Sequence, residues 1–322
     1  MEKFYFITHF NNNPYYNIAS EEYLLRQKEG NYIYIWQNEP SVIVGVNQNT
    51  LQEVNLAYVQ DNGIKVVRRQ TGGGAVYHDL GNICYTVVSK YDEGVDNYKK
   101  FTAPVIEYLN SLGVKAEFSG RNDITVGDKK ISGNAQTVYN GRVLHHGTLL
   151  FDTDLTVLSS ALNPNKLKTQ SKGIKSVRAR VCNISEFTTG LTAREFFLSL
   201  GEHFKKECEV YQFSKEDEDK INELVQKKYG TYEWNIGYSP KGKNRLDAKF
   251  DFGILTITFD TENGVIKNAE AFGDFFSTGD VRGFFAKLNG VKLQKDQIIS
   301  ALEGVENVIK GASAKDIVEA LF

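Results

Sequence analysis

The amino-acid sequence predicts an α+β protein in two units: a larger unit with mixed β-sheets flanked by helices, and a small α+β unit after it. Three observations predict this. The chain has 322 residues, more than one ordinary domain needs. Short segments rich in β-branched or aromatic residues alternate with segments of helical periodicity, which by themselves fit an α+β or an α/β layering. Residues 239–245, Ser-Pro-Lys-Gly-Lys-Asn-Arg, read as a linker between a unit of residues 1–240 and a unit of residues 246–322.

The larger unit begins with a strand at its N-terminus, and a helix follows at residues 17–25, where a capping residue and early acids precede apolar residues. Gly127-Asp128 and Asn140-Gly141 form two-residue turns between alternating runs, so residues 123–152 predict a β-meander. Further strands are predicted at residues 32–36, 41–45, 64–69 and 82–89, and further helices at residues 98–112, 193–206 and 216–228. In the smaller unit, strands are predicted within residues 246–260 and 265–271, and helices at residues 280–288, 295–303 and 314–321.

Composition excludes several classes of protein. The hydrophobic fraction is 41% and the charged fraction 24%, as in globular proteins, and no apolar run has the length of a membrane span. Lys and Arg number 38 against 40 acidic residues, so no broad basic field for nucleic acid exists. The N-terminus lacks the features of a secretory signal, and the widely spaced Cys84, Cys182 and Cys208 fit reduced thiols. We therefore expect a cytoplasmic monomer that binds neither membrane nor nucleic acid.

A glycine triplet, residues 72–74, directly follows a strand that ends in Arg68 and Arg69. Residues without Cβ let backbone N–H groups approach an anion closely, and the arginines can supply charge for a phosphate or carboxylate. A glycine-rich hairpin is the alternative, because the triplet lacks the Lys-Ser/Thr ending of a P-loop.

Lys130 lies on a strand of the predicted meander, where a lysine is usually a solvated charge. Residues 120–123, Gly-Arg-Asn-Asp, enter the same hairpin, and residues 145–148, His-His-Gly-Thr, lie on the next strand. We therefore expect the three clusters to border one cleft.

In order and spacing these segments resemble the lipoate-protein ligase A family of the biotin/lipoate ligase superfamily. The matching segments are residues 68–79, 120–123, 130–135, 145–150, 172–178 and 233–235. The resemblance implies a biotin/lipoate ligase-like catalytic domain and a small accessory domain that rotates between two half-reactions. One departure is Val46, which stands where many members of the family have Arg, so one phosphate or substrate contact is in doubt.

The reaction that this resemblance implies uses ATP and Mg²⁺. The carboxylate of lipoic acid attacks the α-phosphate of ATP and releases pyrophosphate, and a lysine of a carrier protein then attacks the lipoyl-adenylate and releases AMP. The carrier is of the dehydrogenase-complex lipoyl-domain type or the glycine-cleavage H-protein type.

The resemblance also implies roles for individual residues. Lys130 is the catalytic lysine, a cation that bridges the lipoate carboxylate and the α-phosphate. Asp123 holds Mg²⁺, which suits a carboxylate plus phosphate oxygens, and Asn122 hydrogen-bonds the nucleotide. The other predicted nucleotide contacts are Arg69, Gly72, Gly73, Gly74, Ala75, Val76 and Tyr77. The predicted lipoate contacts are Lys130, Gly73, His78 and His146.

Three further expectations concern the surroundings of this site. A strand places His145 and His146 on opposite faces, so structural, hydrogen-bonded histidines are preferred to a metal site or a general base. Val76 and Ile83 are candidates to line an apolar tunnel for the lipoyl tail, with core packing as the alternative for each. Residues 170–180 are expected to form a lid over the adenylate, or simply an exposed basic loop.

Rival functions need residues that the sequence lacks at the expected places. Lipoyl or octanoyl transferases of the same superfamily need a nucleophilic cysteine, and none lies between Cys84 and Cys182. Cys84 itself fits a small buried hydrophobe. A biotin ligase would have an Arg-rich loop in place of the glycine triplet. A non-catalytic lipoate or nucleotide-binding module has no need for a cation such as Lys130 at the reacting carboxylate.

Overall fold

A computed structural model describes residues 3–162, 181–237 and 244–321 of the chain. Up to residue 237 its strands and helices are, in chain order, β1 (Phe4–Thr8), α1 (Pro14–Arg26), β2 (Asn31–Gln37), β3 (Ser41–Val44), α2 (Thr50–Glu53), α3 (Leu56–Asp61), β4 (Lys65–Arg68), β5 (Val76–His78), β6 (Asn82–Lys90), α4 (Asn97–Ser111), β7 (Ala116–Ser119), β8 (Asp123–Val126), β9 (Lys129–Tyr139), β10 (Arg142–Leu150), α5 (Leu155–Ala161), α6 (Ala193–Lys205), β11 (Glu209–Val210) and α7 (Lys215–Leu224).

Two mixed sheets organise this part of the chain. The larger has eight strands in the order β11-β1-β2-β6-β10-β9-β8-β7, and the smaller has three in the order β4-β3-β5. In the larger sheet β1 runs parallel to β2 and β11, and the other neighbours are antiparallel. Mixed sheets with flanking helices confirm the predicted α+β class.

Helix α1 packs inside the molecule. Asn13 caps it by accepting a hydrogen bond from the backbone N–H of Tyr15 at 3.0 Å, and Pro14 occupies its first turn, where a missing N–H costs nothing. The helix therefore begins three residues before the predicted start at residue 17. Its burial brings two carboxylates, Glu21 and Glu22, into the interior.

The predicted meander is confirmed as β8, β9 and β10. Positive φ angles of 46° at Asn140 and 70° at Gly141 form the tight turn between β9 and β10, which explains why an Asn-Gly pair stands there. In register, Lys130 lies opposite Thr125. The meander thus holds the strands that carry Asp123, Lys130 and His146 side by side.

Three short helices, α2, α3 and α5, were not predicted. They begin at the capping residues Asn49, Asn55 and Asp154, and each is too short to show helical periodicity. The helix predicted at residues 216–228 is divided in two: α7 ends at Leu224, and a π-helical turn, Val225–Tyr229, follows it directly. A second such turn, Glu233–Gly237, carries the Glu-Trp-Asn segment.

The C-terminal part has its own antiparallel sheet and apolar core. Its elements are β12 (Asn244–Phe250), β13 (Gly253–Glu262), β14 (Val265–Gly273), α8 (Val281–Phe285), α9 (Lys295–Ala301) and α10 (Ala314–Leu321). The strands form a meander in the order β12-β13-β14. Most of the predicted linker falls on residues 238–243, which lie outside the described residues, so the division after residue 240 stays a prediction.

Two features bear on the expectations from composition. Cys84, Cys182 and Cys208 are all free thiols. In the described residues, every helix is too short or too polar to cross a lipid bilayer.

A buried carboxylate, that of Asp217, joins α7 to α1 and to the strand end near β11. It accepts hydrogen bonds from the hydroxyls of Tyr23 and Tyr211, from the backbone N–H and hydroxyl of Ser214, and from Lys28 Nζ at 2.8 Å. Burial alone would raise the pKa of this carboxyl, but the bonds from Lys28 and the two tyrosines outweigh burial and hold the pKa well below its ordinary value of 3.8.

Replacement of this carboxylate is expected to cost stability in a pH-dependent way. Because the pKa of Asp217 is lowered by folding, its contribution is fully present above pH 3.8 and is lost as the pH falls below that value. We expect Asp217→Asn to lower the free energy of unfolding by about 3 kcal/mol at pH 7 and by a moderately smaller amount at pH 3, because the lowered pKa lies well below pH 3 and only part of the contribution is lost there. Urea unfolding at both pH values measures this. The control is Asp219→Asn on the same helix, whose exposed ion pair with Lys215 contributes little. Equal losses in the two variants at pH 7 would contradict the assignment.

Candidate functional site

A cavity of about 320 Å³ opens between the two mixed sheets and the C-terminal part. The side chains that line its inner end, including Ile18, Trp36 and Ile43, are apolar and almost fully buried. Its mouth is polar and accessible, and Asp123 and Lys130 stand there with about a third of each side chain exposed. A long apolar molecule with one acidic end fits this division.

Most residues that the sequence singled out meet at this cavity. Those that line it are Arg69, Gly73, Gly74, Ala75, Val76, His78, Asn122, Asp123, Lys130 and His146. Two predicted nucleotide contacts, Gly72 and Tyr77, do not line it: the Tyr77 side chain packs in the core between the small sheet and α5. The predicted lid, residues 170–180, lies outside the described residues.

Lys130 and Asp123 form an ion pair at the mouth, with 2.7 Å between Lys130 Nζ and Asp123 Oδ1. The strands β9 and β8 place them next to each other. The lysine side chain bends over Gly133, where an added Cβ would lie 2.8 Å from Nζ. Only glycine at position 133 therefore leaves room for the ammonium group in this position.

Arg69 shapes the glycine-rich loop from beneath. Its guanidinium donates to the carbonyl oxygens of Gly72 at 2.5 Å and Gly74 at 3.0 Å, to the carbonyl oxygen of Ile43 at 3.1 Å and to Thr71 Oγ1 at 2.9 Å. Burial lowers the pKa of Arg69 to about 10, which still leaves the side chain charged at neutral pH. Arg69 therefore holds the loop in place through its carbonyl oxygens, and the arginine also borders the cavity.

Arg68 has a different role from the one its sequence position suggested. It is fully buried, and its guanidinium donates to backbone carbonyl oxygens, among them those of Gln48 at 2.5 Å and Trp234 at 2.9 Å. The expectation that it supplies charge for a phosphate is wrong, because these acceptors hold it away from the cavity. Its hydrogen bonds instead join the segment before α2 to the Glu-Trp-Asn segment, residues 233–235.

The histidines have hydrogen-bond partners on separate faces, as the strand geometry predicts. His146 contacts Glu21 through Nδ1 at 2.9 Å and Thr71 through Nε2 at 2.8 Å. Burial lowers the pKa of His145 to about 3, and its Nδ1 lies 2.8 Å from Gln136 Nε2.

His78 sits near the inner end of the cavity, where its Nδ1 lies 3.1 Å from the side-chain nitrogen of Asn38. Burial and, to a lesser extent, nearby Arg69 lower its pKa to about 3. An imidazole with such a pKa stays uncharged at neutral pH, which suits a wall of an apolar pocket.

On strand β6, the residue that lines the cavity is Cys84 and not Ile83, which was the candidate from the sequence. Val76 lines the cavity as expected, but Ile83 packs in the core on the other face of the large sheet, and its neighbour Cys84 lines the cavity instead. Alternation along a strand makes one of these two the inward residue, and the sequence did not reveal which.

Cys84 has the properties of a structural thiol. It is the one cysteine among the described residues that lines the cavity. Burial raises the pKa of its thiol well above the ordinary value. Because the thiolate is the nucleophile, this environment disfavours the transferase alternative.

The C-terminal part contributes residues that the sequence did not indicate. Asp274 and Phe276 line the mouth, and the guanidinium carbon of Arg121 lies 4.5 Å from the centroid of the Phe276 ring. The backbone N–H of Gly73 donates to the carbonyl of Phe275 at 3.3 Å. These residues lie more than 120 positions after the end of the meander at Leu150, and no local motif marks them.

Comparison with known proteins gives consistent matches along both parts of the chain. Residues 13–205 match the family described as lipoyl protein ligase A/B catalytic domain, and residues 239–321 match the bacterial lipoate protein ligase C-terminus. The lipoate-protein ligase LplJ of Bacillus subtilis is 43% identical over 303 residues, covering 91% of this chain and 92% of its own. Lipoate–protein ligase 1 of Staphylococcus aureus is 44% identical over 301 residues, with the same coverage.

Solved structures with similar folds include several lipoate ligases. The lipoate complex of LipL1 from P. falciparum has a TM-score of 0.80 at 27% identity, covering 98% of this chain and 97% of that chain. A lipoate-protein ligase A bound with ATP has a TM-score of 0.63 at 30% identity, covering 74% and 99%. The bi-partite ligase of Thermoplasma acidophilum, described together with its E2 lipoyl domain, has a TM-score of 0.65 at 31% identity, covering 76% and 99%.

Close packing under the glycine triplet yields a testable consequence. A Cβ at Gly45 would lie 2.1 Å from the carbonyl oxygen of Gly73, so Gly45→Ala must displace the loop. We expect it to lower the free energy of unfolding by about 2 kcal/mol, the usual effect of overpacking, as measured by urea denaturation. The control is Gly94→Ala, whose nearest atom would be 3.7 Å away. A Gly45→Ala protein as stable as this control would show that the loop is not tightly packed.

Proposed function

This chain belongs to the lipoate-protein ligase family, and we propose that it uses ATP to join lipoic acid to a lysine of a lipoyl carrier domain. One observation carries the proposal from the geometry: a cation, Lys130, stands where an apolar cavity meets a glycine-rich loop. The names of the relatives support lipoate ligation. The similar structures with lipoate, with ATP and with an E2 lipoyl domain support the three reactants.

The reaction joins these reactants in two steps. In the first, a carboxylate oxygen of lipoate attacks the α-phosphorus of ATP, the bond to the β-phosphate oxygen breaks, and pyrophosphate leaves. In the second, the ε-amine of the carrier lysine attacks the acyl carbon of lipoyl-AMP. An amide forms, AMP leaves, and the amine gives up a proton to solvent.

Lys130 is proposed to act in both steps. Negative charge develops on the carboxylate and α-phosphate oxygens, and a fixed ammonium group between them stabilises the transition state more than the separate reactants. Its position at the polar mouth, 2.7 Å from Asp123, supports this role. The apolar inner end of the cavity then takes the lipoyl tail, with His78, Trp36 and Cys84 among its walls.

A Mg²⁺ ion is proposed to bind at Asp123. The described residues contain no cluster of three or more side chains able to hold a metal. Mg²⁺ commonly binds through one or two carboxylates, substrate phosphates and water, so a single carboxylate at the mouth fits it. When bound, the ion supplies charge neutralisation for the phosphates. Asn122, the predicted nucleotide contact beside it, donates from its side-chain nitrogen to the carbonyl of Asn134 at 2.7 Å.

Loss of the cation tests the assignment of Lys130. We expect Lys130→Ala to reduce lipoate-dependent exchange of pyrophosphate with ATP by at least about 100-fold, the order of magnitude for removing one group that stabilises transition-state charge. The control is Lys129→Ala, the exposed neighbour whose only close ionic partner in the described residues is Glu186 at 3.9 Å. Full exchange activity in Lys130→Ala would sink the assignment.

The metal role of Asp123 has its own test. We expect Asp123→Asn to raise the Mg²⁺ concentration for half-maximal exchange about tenfold, corresponding to about 1.4 kcal/mol of binding free energy. Asp128→Asn, in the exposed turn before β9, serves as the matched control. A lower rate with an unchanged Mg²⁺ requirement would assign Asp123 to orienting Lys130 rather than to the metal.

The carrier is best identified directly. Purified lipoyl domains of the dehydrogenase type and H-protein type, incubated with the protein, ATP, Mg²⁺ and lipoate, are weighed by mass spectrometry. We expect a gain of one lipoyl group on at least one carrier. Pyrophosphate release without any gain in carrier mass would show that the protein activates lipoate but does not transfer it to these carriers.

A further inference from the structure

One buried carboxylate, that of Glu21 on α1, connects to both ends of the cavity without lining it. We propose that Glu21 is a positioning residue that fixes the glycine-rich loop and the acyl end of the site together. The inference rests on the proposed function, because it assigns these ends to ATP and to lipoate. The side chain of Glu21 is 3% exposed.

The first connection runs from Glu21 to the glycine-rich loop. A carboxylate only accepts hydrogen bonds, so His146 donates from Nδ1 to Glu21 at 2.9 and 3.0 Å, and in a neutral imidazole of this tautomer Nε2 is an acceptor. The Thr71 hydroxyl, 2.8 Å away, then donates to Nε2, and its oxygen accepts from Arg69 Nε at 2.9 Å. Arg69 holds the carbonyls of Gly72 and Gly74.

The second connection runs from Glu21 to the inner wall. The indole N–H of Trp36 donates to Thr86 Oγ1 at 2.9 Å, and the Thr86 hydroxyl donates to Glu21 Oε1 at 2.6 Å. Trp36 lines the apolar end of the cavity and is 1% exposed. The orientation of its ring thus depends on the same carboxylate as the loop.

In both connections every donor points toward Glu21. Hydrogen bonds in such a chain polarise and strengthen one another in a buried setting. An amide at position 21 weakens this chain, because in either orientation its N–H₂ group would face the Nδ1–H of His146, and in one orientation it would also face the hydroxyl hydrogen of Thr86. The His146 tautomer, the Thr71 hydroxyl and the Trp36 ring would then no longer be oriented by one shared acceptor.

The test separates the two connections by KM values in the lipoate-dependent exchange assay. For Glu21→Gln we expect the KM for ATP and the KM for lipoate each to rise about tenfold, equivalent to about 1.4 kcal/mol and close to the effect of one buried hydrogen bond. Thr71→Val should raise only the KM for ATP, and Thr86→Val only the KM for lipoate. In Thr71→Val/Glu21→Gln the KM for ATP should rise no further than in Thr71→Val alone.

Glu22→Gln is the matched control. Glu22 is the neighbouring buried carboxylate, but it accepts from Lys228 at 2.6 Å and from the Tyr229 hydroxyl, away from the cavity. It should lower stability and leave both KM values unchanged. KM values for Glu21→Gln equal to those of Glu22→Gln, or fully additive effects with Thr71→Val, would overturn the inference. A wild-type protein without lipoate-dependent exchange would instead refute the proposed function itself.

Discussion

The site depends on two adjacent arginines at the end of β4 that are buried with their charges satisfied by backbone carbonyls. Arg68 faces the segment before α2, and Arg69 faces the glycine-rich loop. Burial of an unpaired charge would be costly, so both loops must keep their carbonyls in place for the fold to be stable. The conformation of the glycine-rich loop is therefore set by packing before any substrate binds, and its glycines permit the close approach that this needs.

The sequence predicted the parts of this site that follow from local patterns. The Gly127-Asp128 and Asn140-Gly141 turns set the β8–β9 and β9–β10 hairpins, and with them the side-by-side strands that carry Asp123, Lys130 and His146. Most strand segments of the two mixed sheets were also predicted within a few residues, because alternation and turn residues are local signals, but the short strands β7 and β11 were not predicted. The order of motifs along the chain then indicated the family, and the motifs at residues 68–79, 120–123, 130–135 and 145–150 each contribute residues that line one cavity.

Features that the sequence did not predict depend on distant contacts. Glu21 reads locally as an early acid in a helix, and only the packing of α1 under β10 brings it to His146. Arg68 and Arg69 look equivalent in sequence, but the alternation of the strand sends them to different loops. The choice between Ile83 and Cys84 as the inward residue has the same origin: it depends on which face of β6 meets the small sheet.

The two ends of the cavity differ in what holds them, and this limits where movement can occur during turnover. The acyl end is built from fully buried side chains of α1, β2 and β3, and a close-packed wall cannot shift without losing contacts. The C-terminal part is held beside the mouth by hydrogen bonds such as those between Asn47 and Ser277 at 3.0 Å and between Arg121 and the carbonyl of Phe252 at 3.1 Å. Such bonds exchange for water with little net cost. On the proposed function a carrier lysine reaches an adenylate at this mouth, so we expect the adjustment that admits it to fall on the C-terminal segment while the inner pocket stays fixed.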